Sequence, residues 1–257
     1  EIKKMGIKIL LPSVNFSIYK NSTENECMRI GFSQIKGFNR LLANDILEER
    51  RNGLFKSIKE FLERLKNSKN ISMQSVENLI KSGAFDEIDK DRSELLNSFG
   101  NLYTQIVSKS KNELSGQLSL IGTDFMQENF SKTEKYSKDE ILGFEKEILG
   151  FYISSHPLDD YKNYIITNNS MKLLDLKVLD KGIYKTIVYV NSVKTRRNKK
   201  NIMLKTVNVE DFSSSTELLD VKDLDIHKGQ IYEISIKISV NSFGNNNYPI
   251  IDANETN

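Results

Sequence analysis

Residues 28–39 read MRIGFSQIKGFN, and Arg40-Leu41-Leu42 follows directly. Ile35 leads into Lys36-Gly37-Phe38-Asn39, and the apolar spacing after Arg40 opens a helix. This is the layout of a tight hairpin set before a helix N-terminus. Such a hairpin exposes backbone N–H groups, and the helix end favours negative charge. A nucleic-acid phosphate is the anion this arrangement predicts, with the chain gripping a backbone rather than reading bases. An ordinary helix–helix turn is the plain alternative.

Charge supports the first reading. Residues 29–70 hold ten Lys/Arg against five acids, and residues 194–200 hold five basic side chains and no acid, in a chain of net charge +2. Two basic regions in a near-neutral chain predict two contacts with a polyanion. A single cysteine, Cys27, excludes an internal disulfide framework, and with only His156 and His227 to join it a zinc site is not expected. No apolar run approaches the ~20 residues of a membrane span. A cytoplasmic protein with no membrane contact is predicted. The chain opens Glu-Ile-Lys-Lys rather than Met, which suggests a piece of a longer protein.

Downstream of the hairpin, residues 40–107 read as short, closely spaced helices. Phe55, Ile58, Leu62 and Leu65 repeat at helical spacing, as do Met73, Val76, Leu79 and Ile80, and Leu95, Phe99, Leu102 and Ile106. Gly53 and Gly83 stand at the breaks. Periodicity fades over residues 108–135, a polar linker. A helix restarts at Ser137, with Glu140 in capping-box register, and is expected to end near His156-Pro157. After Lys181 the pattern becomes β. Ile183–Val193, the stretch holding Ile202, Leu204, Val207 and Val209, Glu217–Val221, Ile231–Val240, where Ile234, Ile236, Ile238 and Val240 alternate onto one face, and Tyr248–Ile251 read as five short strands, a small barrel or sandwich.

Four landmarks then resemble one family. The stretch from Lys4 to Asn15, MRIGFSQIKGFN, LIKSGAFD at 79–86 and EKEILGFYISSHPL at 145–158 occur in the order and spacing of the bacterial DNA polymerase III alpha subunit, a C-family replicative polymerase. The resemblance covers essentially the whole chain and places it toward the C-terminal part of that subunit. It implies an α+β multidomain protein, a tandem helix-hairpin-helix region followed by a small all-β OB-fold barrel. The implied divisions are the end of the fingers at 1–28, the tandem hairpins at 29–108, a linker at 109–136, a connecting helix and loop at 137–180 and the OB domain at 181–257. The family's enzyme is a DNA-directed DNA polymerase, a nucleotidyltransferase expected to use Mg. Its catalytic palm has no counterpart here, so the fragment is expected to be inactive alone and to need no cofactor. A stand-alone nucleic-acid adaptor is the alternative.

The resemblance also assigns candidate residues. Lys36, Gly37, Phe38, Asn39 and Arg40 are expected to hold duplex DNA. Asn39 stands where these hairpins want a second glycine; it is expected to tolerate a left-handed backbone while crowding the phosphate. The Ser82–Asp86 turn is expected to be mainly structural. Gln117, Leu118, Ser119, Leu120 and Ile121, an apolar island in the linker, resemble the peptide that holds the sliding clamp, the beta subunit. Lys194, Arg196, Arg197, Lys199 and Lys200 border the expected single-strand groove of the OB barrel, with Tyr189, Phe212 and Phe243 as stacking candidates. Other replicase subunits are further expected partners. Asp89/Asp91 and Asp223/Asp225 have the spacing of paired carboxylates, but each reads as solvated or capping.

Overall fold

The structure, a computed structural model, describes residues 6–89, 91–110, 134–197, 201, 203–240 and 246–256. The chain divides into two compact units, Glu1–Ser155 and His156–Asn257. The division falls inside the segment 137–180 that the sequence suggested as one connection. Residues before position 28 also share the first unit's core, through Val14 and Leu11.

The first unit opens with three short strands. β1 (Ile9–Leu10) pairs in parallel with β3 (Cys27–Arg29), and β2 (Ser22–Glu24) pairs antiparallel with β3. The two-residue turn between β2 and β3 puts Asn25 and Glu26 at φ +46° and +62°, the mirror-image turn suited to strand twist. These strands of two or three residues are too short to leave a sequence period.

Five α-helices follow among the described residues, and each start has a side-chain cap. Asn39 caps α1 (Arg40–Arg50), Ser57 caps α2 (Ile58–Leu65), Ser72 caps α3 (Met73–Lys81), Asp91 caps α4 (Arg92–Tyr103), and Ser137 caps α5 (Lys138–Leu149). The capping box expected at Ser137 and Glu140 is present. α4 runs on as a π-helical turn over Thr104–Ser108. The apolar stripes meet in one core, where Phe55, Phe61 and Phe85 pack edge to face at 5.1 and 5.2 Å. Met73 leaves the expected stripe: it is the first residue of α3, beside the cap, and is exposed.

α5 does not reach His156-Pro157. Gly150, at φ +85°, ends it in the left-handed position where glycine carries no Cβ penalty. The following segment then folds back over the helix. The fully buried Glu145 carboxylate accepts the N–H groups of Ile153 and Ser154 at 2.7 and 3.1 Å.

The second unit carries a short helix, α6 (Lys162–Thr167), and a sheet of β4 (Gly182–Arg197), β5 (Met203–Glu210), β6 (Ser215–Asp220), β7 (Ile231–Val240), the two-residue β8 (Asn246–Asn247) and β9 (Pro249–Glu255). Pairings run β4–β5–β6–β9–β7, and β7 returns to β4, so the ring of strands closes. The β6–β9 pairing is the parallel one. One long strand makes closure possible. The first half of β4 pairs with β7 and the second with β5, with a register irregularity between Val190 and Ser192 where the strand can turn. Val188, Val190, Val207, Val209, Leu218 and Ile250 fill the interior, and Ile234, Ile236 and Ile238 follow the expected alternation.

Candidate nucleic-acid interface

A 3₁₀ turn over Phe32–Gln34 delivers the chain to the first hairpin. The Phe38 N–H donates to the Ile35 carbonyl at 3.1 Å, and Gly37, third of the four turn residues, has φ +69°. That combination is a type II β-turn, which requires positive φ at its third residue. Ile35 and Phe38 are buried, and the Phe38 ring stacks on Phe32 at 5.1 Å. Phe38 therefore anchors the turn with its side chain, and its N–H is taken up in closing the turn rather than left for a ligand. Two remote helices clasp the same turn. The Lys36 N–H donates to the Ile148 carbonyl of α5 at 2.9 Å, and Asn78 Nδ2 of α3 donates to the Lys36 carbonyl at 2.8 Å.

Asn39 corrects an expectation. Its backbone is extended, at φ −94° and ψ 154°, not left-handed. The turn needs positive φ at Gly37 alone, and the next position but one is a helix N-cap, where Asn is among the preferred residues. Its Oδ1 accepts the Leu42 N–H at 2.7 Å, so the side chain turns back into the helix instead of crowding the approach.

Donors remain at this end of the eleven-residue α1. Among the described residues, none accepts from the backbone N–H of Gly37, Asn39, Arg40 or Leu41. Lys36, Gly37, Asn39 and Arg40 are exposed. The unit's arginines show where charge remains available. Arg29 pairs with Glu24 and Glu87, Arg51 with Glu48, Arg64 with Glu49 and Glu60, and Arg92 with Asp86. Arg50 donates to the carbonyls of Asn15 and Ser17, and burial pushes its pKa down to about 10. Arg40 instead lies over the Tyr19 ring, 5.6 Å from its centroid, with no carboxylate or carbonyl partner among the described residues. Unneutralised positive charge thus stands beside free N–H donors, the arrangement that receives a phosphate.

Sequence reading missed how Tyr19 comes to lie there. A Cβ on Gly31 would sit 2.3 Å from the backbone of Lys20. That glycine lets the Tyr19–Lys20 strip lie directly on the hairpin's approach, where the Tyr19 carbonyl accepts the Ser33 N–H at 2.8 Å. The signal was present, since Gly31 belongs to the opening stretch, but its contact, Lys20, is eleven residues away.

The second hairpin differs. The Gly83 and Ala84 N–H groups donate to the carbonyls of Ile80 and Leu79, and Gly83 has φ +81°, so it forms the Schellman end of α3. The Arg92 guanidinium lies against it, 6% exposed, bidentate to Asp86 at 2.9 and 2.6 Å and bonded to the Lys81 carbonyl at 3.1 Å. Burial pushes the Asp86 carboxyl above its usual range, against the opposing pull of Arg92. The basic side chain nearest this hairpin is thus engaged within the fold. Asp91 is the α4 N-cap, bonded to the N–H groups of Ser93 and Glu94, and Lys90 lies outside the described residues.

On the barrel, Lys194, Arg196 and Arg197 are exposed at the far end of β4, while Lys199 and Lys200 lie outside the described residues. Register divides the three. Lys194 faces Thr206 and Arg196 faces Leu204, whereas Arg197, opposite Met203, belongs to the alternate face. Lys205, also on the alternate face, is held by Asp220 and Asp223, both at 3.3 Å. The aromatic candidates do not gather at this basic end. Tyr189 pairs with Glu210 at the other end of β5, and Phe212 follows that end, with its ring 4.5 Å from His156 and Lys162 Nζ 5.4 Å above it. Phe243 lies outside the described residues, as do Gln117, Leu118, Ser119, Leu120 and Ile121. Both flanks of that last segment attach to the first unit. Ser110 bonds Asn67 at 2.9 Å, Lys135 pairs with Asp91 at 3.6 Å, and Tyr136 packs on Phe144 at 5.0 Å. Among the described residues no group of His, Cys, Asp or Glu could hold a metal ion, and no helix is long and apolar enough to cross a membrane.

Comparison with known proteins agrees with this geometry. A family model for the helix-hairpin-helix motif matches residues 6–95, both hairpins included. The DNA polymerase III subunit alpha of Borreliella burgdorferi is 34% identical over 228 residues, 85% of this chain and 20% of that protein. The Campylobacter jejuni subunit is 32% identical over 98% of this chain and 21% of its own length, and that of Bacillus subtilis is 32% identical over 77% and 18%. The chain spans about a fifth of the length of these relatives. With its helix-hairpin-helix region and this similarity running through both units, the chain belongs to the DNA polymerase III alpha-subunit family.

Proposed function

We propose that this chain is the DNA-handling part of a replicative DNA-directed DNA polymerase and that its first hairpin grips duplex DNA through the phosphate backbone. The observation that carries this is the set of N–H groups at Gly37, Asn39, Arg40 and Leu41 that find no acceptor among the described residues, framed by the exposed cations Lys36 and Arg40. Neutral donors on rigid backbone and two cations recognise phosphate without reading sequence. The second hairpin contributes shape, because Arg92 is tied to Asp86. Nucleotide transfer and its Mg ions are assigned to other parts of the polymerase, in the cytoplasm where the chromosome is copied.

Two further contacts complete the proposal. Gln117, Leu118, Ser119, Leu120 and Ile121 bind the sliding clamp, with Leu120 and Ile121 in an apolar pocket and Gln117 at its rim. Tethering raises the effective concentration of the polymerase at DNA. The ring of strands is read as an OB fold because its order, with one parallel pairing, closes a five-stranded barrel. Lys194, Arg196, Arg197, Lys199 and Lys200 then hold single-stranded template by charge, with little help from stacking.

Titration of the chain with duplexes of unrelated sequence tests the grip. Affinity is expected to be sequence-independent, with a log–log salt slope that falls in magnitude by about 0.9 for each of Lys36→Ala and Arg40→Ala. Salt-insensitive binding, or slopes unmoved by both substitutions, would refute it. Clamp binding that survives joint replacement of Gln117, Leu120 and Ile121 by Ala would move the tether elsewhere.

A further inference from the structure

We infer that Asn78 is a positioning residue for the phosphate grip: it fixes the rotation of the Lys36–Gly37 peptide so that the Gly37 N–H faces the ligand. The inference rests on the reading of the first hairpin as a phosphate site. A buried asparagine in a helix interior is unusual, because its short amide competes with the helix backbone. Asn78 is only 5% exposed and lies inside α3, yet both ends of its amide are satisfied. Its Oδ1 accepts from Gln74 Nε2 at 3.0 Å, and its Nδ2 donates to the Lys36 carbonyl at 2.8 Å.

The consequence follows from peptide geometry. In a trans peptide the carbonyl and the N–H of the next residue point in opposite directions. Holding the Lys36 carbonyl inward on α3 therefore turns the Gly37 N–H away from the protein, where no described residue accepts it. Types I and II of this turn differ chiefly in the rotation of that central peptide. Losing the Asn78 bond frees the peptide to rotate and withdraw the donor.

Asn78→Leu removes the donor while keeping a buried, helix-compatible side chain. A charged acceptor bond is worth ~1.5–3 kcal/mol, so duplex affinity of the variant should fall roughly tenfold or more at every salt concentration. The salt slope should stay unchanged, because no cation is lost, in contrast to Lys36→Ala, which lowers it by about 0.9. The Gly37 amide resonance should shift in the free variant. If Asn78→Leu does not fold, Asn78→Gln, whose longer arm misplaces the amide, takes its place with the same expectations. A variant that melts earlier but binds duplex like the parent, with an unmoved Gly37 resonance, would make Asn78 a packing residue and overturn the inference while the grip stands. Absence of duplex binding by the parent chain would overturn both.

Discussion

Replacing Gly83 by alanine should damage this fold far more than replacing Gly37, although both glycines have positive φ. Each substitution forces an L residue into the left-handed region, at a cost of about 1–2 kcal/mol. At Gly37 little is added, for the nearest atom to a new Cβ is Asn78 Nδ2 at 4.0 Å. At Gly83 the Cβ would stand 2.3 Å from Arg92 Nη2 and 3.0 Å from Arg92 Cζ and Asp86 Oδ2. Something must move, and Arg92 is the mobile partner. Its guanidinium holds Asp86 and the Lys81 carbonyl, and disrupting a pair whose cation is buried costs ~3–5 kcal/mol, close to the margin of a whole domain. Urea unfolding followed by far-ultraviolet circular dichroism, which reports the helices of the first unit, measures both variants. Gly83→Ala should lose at least about 3 kcal/mol, Gly37→Ala about 1–2 kcal/mol. Equal losses would refute the view that Arg92 is wedged against Gly83.

Three other perturbations follow from single contacts. Asn39→Ala should destabilise α1 by about 1 kcal/mol and Asn39→Gly by only a few tenths, since capping rather than left-handed tolerance is the role of Asn39; an Asn39→Gly variant that melts above the parent would restore the left-handed reading, in which glycine is preferred. The Arg29 hydrogen bond holds the Glu24 carboxyl below its usual range, so the folded state binds fewer protons there than the unfolded chain. That stabilisation is complete above the unfolded pKa and is lost as pH falls through the folded one; parent and Glu24→Gln stabilities should converge in acid, and a constant gap would contradict the pair. Glu145→Ala strips the acceptor from two N–H groups and should cost about 2–5 kcal/mol, with faster hydrogen exchange at Ile153 and Ser154; protected amides there would show another acceptor at work.

Much of the fold was legible because its determinants are local. Ser137 and Glu140 announce a capping box across three residues, and Ile234, Ile236 and Ile238 announce a buried strand face by alternation. The end of α5 differs from the expected one because Gly150 supplies a left-handed cap six residues before the helix-breaking His156-Pro157 pair. The strands before Arg29 escaped because two or three residues show no period. Phe212 was grouped with the basic turn by sequence proximity, yet strand register sends it to the opposite end of β5.

For the site, the linear order of residues is enough to show which of them form the hairpin, that Gly37 turns it and that α1 starts behind it. Turn type, capping and helix periodicity act within a few residues, so a linear string records them. Tertiary structure alone decided which way the hairpin's peptides face and which cations stay unpaired. The Lys36 carbonyl is turned by an amide 42 residues away, and its N–H is taken by Ile148 of another helix. Arg92 is withdrawn from the surface by Asp86, while Arg40 lies over Tyr19 with no carboxylate partner among the described residues. A hydrogen bond or ion pair fixes a group only when its partner is brought within about 3 Å, and for these groups that distance is set by how helices pack rather than by their order in the chain.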